Sequence, residues 1–186
     1  MIKVITPELI TALHEGFRLG PKSEHGPAHW MRVRKNGLLL AELTGANTRV
    51  VELFSIFHDS CRVSEYDDPE HGPRGAELAF MYFRRGMLNC NEDEIELLSR
   101  ACVGHTHEHS NPDITISTCW DADRLDLPRC GITVDPQRLA TLEARHPDII
   151  YEAEQRALSW RNRINKSMWA DDDWELSKPR SVKHNY

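Results

Sequence analysis

The stretch TRVVELFSIFHD, residues 48–59, is apolar on nearly every side until it ends on the pair His58–Asp59. A run of this kind is typical of a buried central element, which could be either a helix or a strand. An ionisable pair at the end of such a run is costly to bury unless its charge is compensated. The stretch therefore predicts a central element that carries a polar, chemically competent end.

The remainder of the chain favours helices over strands. Thr6 before Pro7 and Asn91 before Glu92 are patterns of helix starts, because their side chains can accept bonds from the first backbone amides. No alternating pattern of a β-hairpin is present, so we predict an all-α fold, with one helical domain over residues 1–170 and a polar tail over residues 171–186. The first predicted helix runs from Pro7 to just before Gly20, and the second runs from Pro27 to about Gly45. The other predicted helices cover residues 48–58, 73–85, 92–103, 112–125, 136–145 and 148–169.

Composition excludes several classes of protein. The 186 residues carry 23 basic and 29 acidic side chains, a formal net charge of −6, which argues against a general nucleic-acid binder. The apolar runs are too short for a membrane span, and the N-terminus does not resemble a signal peptide. Five cysteines without a CxxC pair fit neither a disulfide framework nor a zinc ribbon. We therefore expect a cytoplasmic protein that acts away from membranes, with a homo-oligomer left open.

Histidine is the unusual feature of the composition, since ten are present and most fall between residues 25 and 109. A neutral imidazole and a carboxylate, as in His58–Asp59, are good ligands for a first-row divalent metal. Helical bundles build metal sites from ligands that are far apart in sequence and converge in the middle of the bundle. The further candidate ligands lie on different predicted helices or helix ends: His29, His71, His105 and Asp121.

The order His29, His58–Asp59, Asp121 resembles the H…HD…D signature of the HD-domain metal-dependent phosphohydrolases. The resemblance covers most of residues 25–131, in the contexts HWMRV, FHDS, HGPRGAE and DADRLD. It implies an all-helical, metal-centred core that holds one or two divalent ions (Mn, Fe, Co, Ni or Zn). His71 and His105 fall where binuclear members carry two additional histidines, and Asp59 would bridge the two ions. His25, separated from His29 by Gly26–Pro27, is expected outside the ligand set.

Arginine stands three positions after four of the proposed ligands. On a helix these positions share a face, so the guanidinium groups would surround the metal site. Cations gathered around a metal need anions. An anionic substrate could supply them, or acidic side chains such as Glu24, Asp67, Asp68, Glu70, Glu77 and Asp123. Phosphate fits because the planar guanidinium binds it with two hydrogen bonds. The candidate substrate-binding residues are Arg32, Arg62, Arg74 and Arg124.

The predicted function is a metal-dependent phosphohydrolase that cleaves a small phosphate ester, with nucleotides favoured because they are the commonest substrates of the resembled family. Asp59 would hold the ion that activates water, and His105 or His107 would protonate the leaving oxygen. Two alternatives stay open at this point. One is a di-iron oxygenase on the same fold, and the other is a non-catalytic regulatory domain stabilised by its metal.

Overall fold

The computed structural model describes residues 3–165, with side chains through residue 160. Within this part of the chain the structure is all-α, as predicted, with two short 3₁₀ segments, Leu127–Cys130 and Pro136–Arg138, and no strand. None of these helices combines the length and apolar composition that a bilayer crossing requires. The predicted tail lies outside the described residues. The helices are α1 (Pro7–Gly16), α2 (Pro27–Thr44), α3 (Thr48–Phe57), α4 (His71–Arg84), α5 (Glu92–Gly104), α6 (Ile114–Arg124) and α7 (Pro147–Asn165).

Side-chain caps define where most of the helices begin. Thr6 accepts a bond from the Leu9 amide at the start of α1. Asn91 and Glu94 form a reciprocal capping box at the start of α5, in which each side chain accepts from the other residue's amide. Glu94 also accepts hydrogen bonds from Asn47 and Arg49 at the start of α3. The same polar cluster therefore anchors the N-terminal ends of α3 and α5.

The helix predicted over residues 136–145 is wrong. Only the 3₁₀ segment Pro136–Arg138 forms, and the chain then runs irregularly up to α7. The reason lies in α6, where the Asp121 carboxylate accepts bonds from the amides of Ala140 and Thr141 and from the Thr141 hydroxyl. Backbone amides that bond to a distant carboxylate cannot also make the i→i−4 bonds of a helix.

Helix α3 is the centre of the bundle. It packs against α2, α5 and α6, and its apolar side chains are at most 1% exposed. A smaller apolar cluster, which includes Leu40, Leu125, Leu139 and Ala153, attaches the segment after α6 and the start of α7 to this bundle. Because α3 ends inside the molecule, the pair His58–Asp59 that follows it is placed in the interior.

Two glycines allow α4 to approach the ends of α3 and α5. A Cβ atom at Gly72 would overlap the carbonyl oxygen of Cys102, and one at Gly75 would overlap the carbonyl oxygen of Phe57. These close contacts hold the start of α4, with His71, against the end of α3, with Asp59. The HGPRG sequence thus matters for backbone packing as well as for its histidine.

We predict that Gly75→Ala lowers the free energy of unfolding by about 1–3 kcal/mol, because the added methyl group forces α4 away from α3. Gly16→Ala is the matched control, since no atom lies within 4 Å of a Cβ built there. Urea denaturation of both variants measures the difference. Equal stability of the two variants would show that the α3–α4 contact is not tight.

Candidate metal centre

Five side chains from four separate parts of the chain meet at one end of the bundle. His29 lies in the first turn of α2, His58 and Asp59 follow α3 directly, His71 is the first residue of α4, and His105 follows α5. All five are between 0% and 6% exposed. The structure thus brings together five of the six predicted metal ligands.

Asp59 lies between two pairs of histidines and presents one oxygen to each. Its Oδ2 is 3.5 Å from Nε2 of His29 and 3.7 Å from Nε2 of His58. Its Oδ1 is 3.2 Å from Nε2 of His71 and 3.8 Å from Nε2 of His105. We call the first group, with Oδ2, the first half of the site, and the second group, with Oδ1, the second half. Donor atoms in each half lie close enough together to hold one metal ion.

The four imidazoles are oriented by hydrogen bonds from their other nitrogen. Nδ1 of His58 lies 3.0 Å from the carbonyl oxygen of Phe54, and Nδ1 of His105 lies 2.7 Å from the carbonyl oxygen of Cys102. Nδ1 of His71 is bonded to the carbonyl oxygen of Asp68. Nδ1 of His29 is 2.7 Å from the Asp126 carboxylate. Carbonyl oxygens and carboxylates only accept, so each Nδ1 carries the proton, and the lone pair of the neutral ring lies on Nε2.

The lone pairs of these rings face one another. Nε2 of His29 lies 3.0 Å from Nε2 of His58, and Nε2 of His71 lies 2.9 Å from Nε2 of His105. Two neutral rings that both accept through Nε2 cannot hydrogen-bond to each other, whereas both can direct their lone pairs at one cation between them. Ligands at about 2.1 Å from one ion, at angles near those of a tetrahedron or a square, are about 3.0–3.4 Å apart. The donor set therefore fits a divalent metal in each half.

The charges of the site favour cations. Arg62, 3.3 Å away, compensates part of the charge of Asp59. Burial lowers the pKa of His58 to about 3, whereas the Asp59 carboxylate raises the pKa of His105 in spite of its burial. Burial alone would raise the pKa of Asp59, but the neighbouring His58 and a hydrogen bond from His25 hold it well below its ordinary value. Asp59 is consequently ionised, and a bound metal would displace protons from the site.

Asp121, predicted as a metal ligand, lies apart from the cluster, and the carboxylate of α6 that reaches the cluster is that of Asp123. Both oxygens of Asp121 bind the 140–141 segment, whereas Oδ1 of Asp123 lies 3.3 Å from Nε2 of His29 and 3.7 Å from Nε2 of His58. Residues two apart on a helix point about 200° apart around its axis, so α6 can direct only one of these two aspartates to the cluster. Asp123 thus offers the first half a fourth candidate donor.

Asp126, the third aspartate of DADRLD, orients His29. It is fully buried, and both of its oxygens accept bonds from Arg32, at 2.7 and 2.9 Å, while Oδ2 also accepts from His29 Nδ1. The Arg32 guanidinium in turn lies 4.5 Å from the ring centroid of Trp160 in α7. The Asp126–Arg32 pair connects the first half of the site to the C-terminal helix.

Only one of the four predicted substrate-binding arginines contacts the metal cluster. Nε of Arg62 is 3.3 Å from Oδ1 of Asp59. The guanidinium of Arg32 is occupied by Asp126, as described above. Arg74 binds Asp68 and the carbonyl oxygen of Cys61, and Arg124 binds the carbonyl oxygens of Glu108, His109 and Arg138. These contacts give Arg32, Arg74 and Arg124 internal partners.

The two remaining candidate histidines, His25 and His107, have different surroundings. His25 was expected outside the ligand set, at most in contact with a ligand, and its Nδ1 is 2.8 Å from Oδ2 of Asp59 while its Nε2 is 3.4 Å from Arg62. His107 is exposed in the turn after α5, where its amide bonds to the carbonyl oxygen of Gly104. Its role as a proton donor stays a prediction.

Sequence reasoning missed the roles of His25, Asp123 and Asp126. The triple aspartate in DADRLD was the available signal, because acids at positions 121, 123 and 126 cannot all face the same side of one helix. For His25 the interruption by Gly26–Pro27 concealed the contact, since α2 begins after it and the chain turns back toward Asp59.

Comparison with known proteins supports the fold. No family model matches the chain, and no curated protein matches it. Among solved structures, the chain is similar to a crystal structure described as a predicted HD superfamily hydrolase from an uncultured Thermotogales bacterium, with a TM-score of 0.61 and 20% sequence identity. The alignment covers 86% of this chain and 91% of that one. The resemblance to HD-domain proteins is thus confirmed for the fold, and the His/Asp cluster fits an HD motif.

We predict that Asp126→Asn weakens metal binding in the first half by about tenfold or more, since partners that orient a ligating histidine have effects of this size. Both carboxylate oxygens of Asp126 accept hydrogen bonds, so the NH₂ group of an asparagine in either orientation would face a donor of Arg32 or His29 and could not accept from it. A calorimetric titration with Mn²⁺ measures the affinity. Asp148→Asn, at an exposed position paired with His146, is the control. Equal affinity of both variants would show that Asp126 does not orient His29.

Proposed function

We propose that this protein is a metal-dependent phosphohydrolase that acts on a small phosphate ester. One observation carries the proposal: the Nε2 atoms of four histidines form two close pairs, and each pair faces a different oxygen of the buried Asp59. HD-fold similarity supports the reaction class. Bound divalent ions would supply a water of lowered pKa as the nucleophile and would polarise the phosphoryl oxygens.

The residues of the chain would divide the remaining tasks. In the first half, His29, His58, Asp59 and Asp123 would hold one ion; in the second, His71, His105 and Asp59 would hold the other. Because both nitrogens of His105 are engaged, Nδ1 with Cys102 and Nε2 within the cluster, it is poorly placed to protonate a leaving group. His107, which is exposed two residues further along the same turn, would donate that proton instead.

A phosphate monoester or a nucleotide is the proposed substrate class. Arg62 lies at the cluster through its contact with Asp59, and a guanidinium can hydrogen-bond to phosphoryl oxygens. His25, which is partly exposed beside Arg62, would offer a second polar contact at the same place. Nucleotides are favoured within this class because they are the commonest substrates of the resembled family.

The proposal is tested by loading the purified protein with Mn²⁺, Co²⁺, Ni²⁺ or Fe²⁺ and measuring phosphate release from phosphomonoesters, and products from cyclic nucleotides and dinucleotides. We expect hydrolysis that depends on the added ion. Oxygen consumption by the iron-loaded protein, without hydrolysis, would contradict the proposal and would favour the oxygenase alternative.

We predict that His58→Ala and Asp59→Ala each abolish metal retention and turnover, because His58 is a donor in the first half and Asp59 contributes an oxygen to both halves. Circular dichroism should show nearly unchanged helix content, and elemental analysis should show loss of the ion. His109→Ala, at an exposed position in the loop after α5, should leave both quantities unchanged. Turnover by a variant that retains no metal would refute the mechanism.

We predict that Arg62→Ala raises the KM for a phosphate ester by about tenfold or more, since a hydrogen bond to a charged group contributes about 1.5–3 kcal/mol. Metal content should change little, because Arg62 contacts Asp59 without being a donor to the ion. Arg34→Ala, which removes a partly exposed pair with Glu52, is the control for loss of a positive charge. An unchanged KM would remove Arg62 from the substrate contacts.

A further inference from the structure

Thr106 places a hydroxyl group on the second half of the site. The residue follows His105 in the exposed turn after α5. Its Oγ1 lies 3.4 Å from Nε2 of His71 and 3.3 Å from Nε2 of His105. Neither the sequence pattern nor the HD signature assigns a function to this side chain.

Hydrogen bonding within the chain does not account for this position. Nε2 of each imidazole is an acceptor, since the Nδ1 atoms of His71 and His105 donate to carbonyl oxygens. A threonine hydroxyl has a single proton and can satisfy only one of two equidistant acceptors. Its two lone pairs remain available to a cation between the imidazoles.

Four polar atoms surround the centre of the second half. Two of them contact Thr106, as described above. Nε2 of His71 and Nε2 of His105 are 2.9 Å apart, and they lie 3.2 and 3.8 Å, respectively, from Oδ1 of Asp59. The first half has the same composition of two imidazoles, one oxygen of Asp59 and one further oxygen. There Oδ1 of Asp123 lies 3.3 Å from Nε2 of His29 and 3.7 Å from Nε2 of His58.

The two halves therefore differ in charge at one position. Asp123 offers a carboxylate, which carries a negative charge at neutral pH. Thr106 is neutral at the corresponding position of the second half. The number of charged ligands is a main determinant of the affinity of an oxygen-containing site for a divalent ion.

We propose that Thr106 Oγ1 is the fourth protein donor of the second half, and that its neutrality makes this half bind a divalent ion more weakly than the first half. The inference rests on the proposed metal-dependent function. It also locates the anionic substrate, because an oxygen of a phosphate would supply to the second half the negative charge that Asp123 supplies to the first. Thr106 is exposed, so this side of the cluster is open to such a ligand.

The test is a titration of the metal-free full-length protein with Mn²⁺, without substrate, followed by calorimetry and by electron paramagnetic resonance of free and coupled Mn²⁺. Wild type should show a tight and a weak class of site. Thr106→Val, which has nearly the same shape, should weaken only the weak class by about tenfold or more. Thr106→Asp should raise the Mn²⁺ affinity of the weak class, so that the dissociation constants of the two classes become more similar.

Ser110→Ala, in the same exposed loop, is the control and should reproduce the wild-type isotherm. An unchanged weak class in Thr106→Val, or equal weakening of both classes, would overturn the inference. A single class of one ion in wild type would overturn it as well, while a one-ion phosphohydrolase would still stand. Conversely, two classes that respond as expected, in a protein that hydrolyses no phosphate ester, would support the role of Thr106 and contradict the proposed function.

Discussion

The hydrogen bonds from the Nδ1 atoms of four histidines are the constraint on which the site depends. Three of the acceptors are backbone carbonyl oxygens, of Phe54, Asp68 and Cys102, and the fourth is the Asp126 carboxylate. An imidazole can present a lone pair from Nε2 only while Nδ1 keeps the proton, so these acceptors select the tautomer as well as the ring orientation. The metal-binding character of the cluster is thus built into the backbone around the helix ends.

This arrangement explains why the ends of α3, α4 and α5 must lie so close together. The histidine after each of α3 and α5 binds a carbonyl oxygen of the last turn of its own helix, that of Phe54 for His58 and that of Cys102 for His105. His71 uses the carbonyl of Asp68, just before α4. The glycines at 72 and 75 let the backbones approach until the rings meet. Packing of the helix ends and chemistry of the site are therefore satisfied by the same contacts.

Charge is distributed unequally over the cluster. The aspartates of DADRLD serve three purposes: Asp121 fixes the 140–141 segment, Asp123 faces the first half, and Asp126 orients His29 while paired with Arg32. The second half shares Asp59 but has no second carboxylate among its candidate donors, and Arg62 lies 3.3 Å from its Asp59 oxygen. A buried carboxylate needs compensation wherever it occurs, and here arginine provides it behind the ligands, whereas a cation would provide it between them.

Much of this organisation could be predicted from the sequence. Cap residues and apolar periodicity predicted the positions of the helices. The HD pattern and the resemblance predicted Asp59 and the four histidines that surround it. The error at residues 136–145 arose because a carboxylate distant in sequence captures the amides of that segment. Arg32, Arg74 and Arg124 were assigned to substrate because helical spacing alone does not reveal a buried aspartate or a carbonyl oxygen that a guanidinium will meet.

The sequence by itself determined the kinds of donor atom and the helices that carry them, because both depend on residue type and on periods of a few residues. The tertiary structure alone decided that Asp123 and not Asp121 reaches the imidazoles, that each oxygen of Asp59 faces a different pair of rings, and that Thr106 joins one of them. These outcomes depend on how helices distant along the chain are rotated and packed against one another, and local pattern does not encode that rotation.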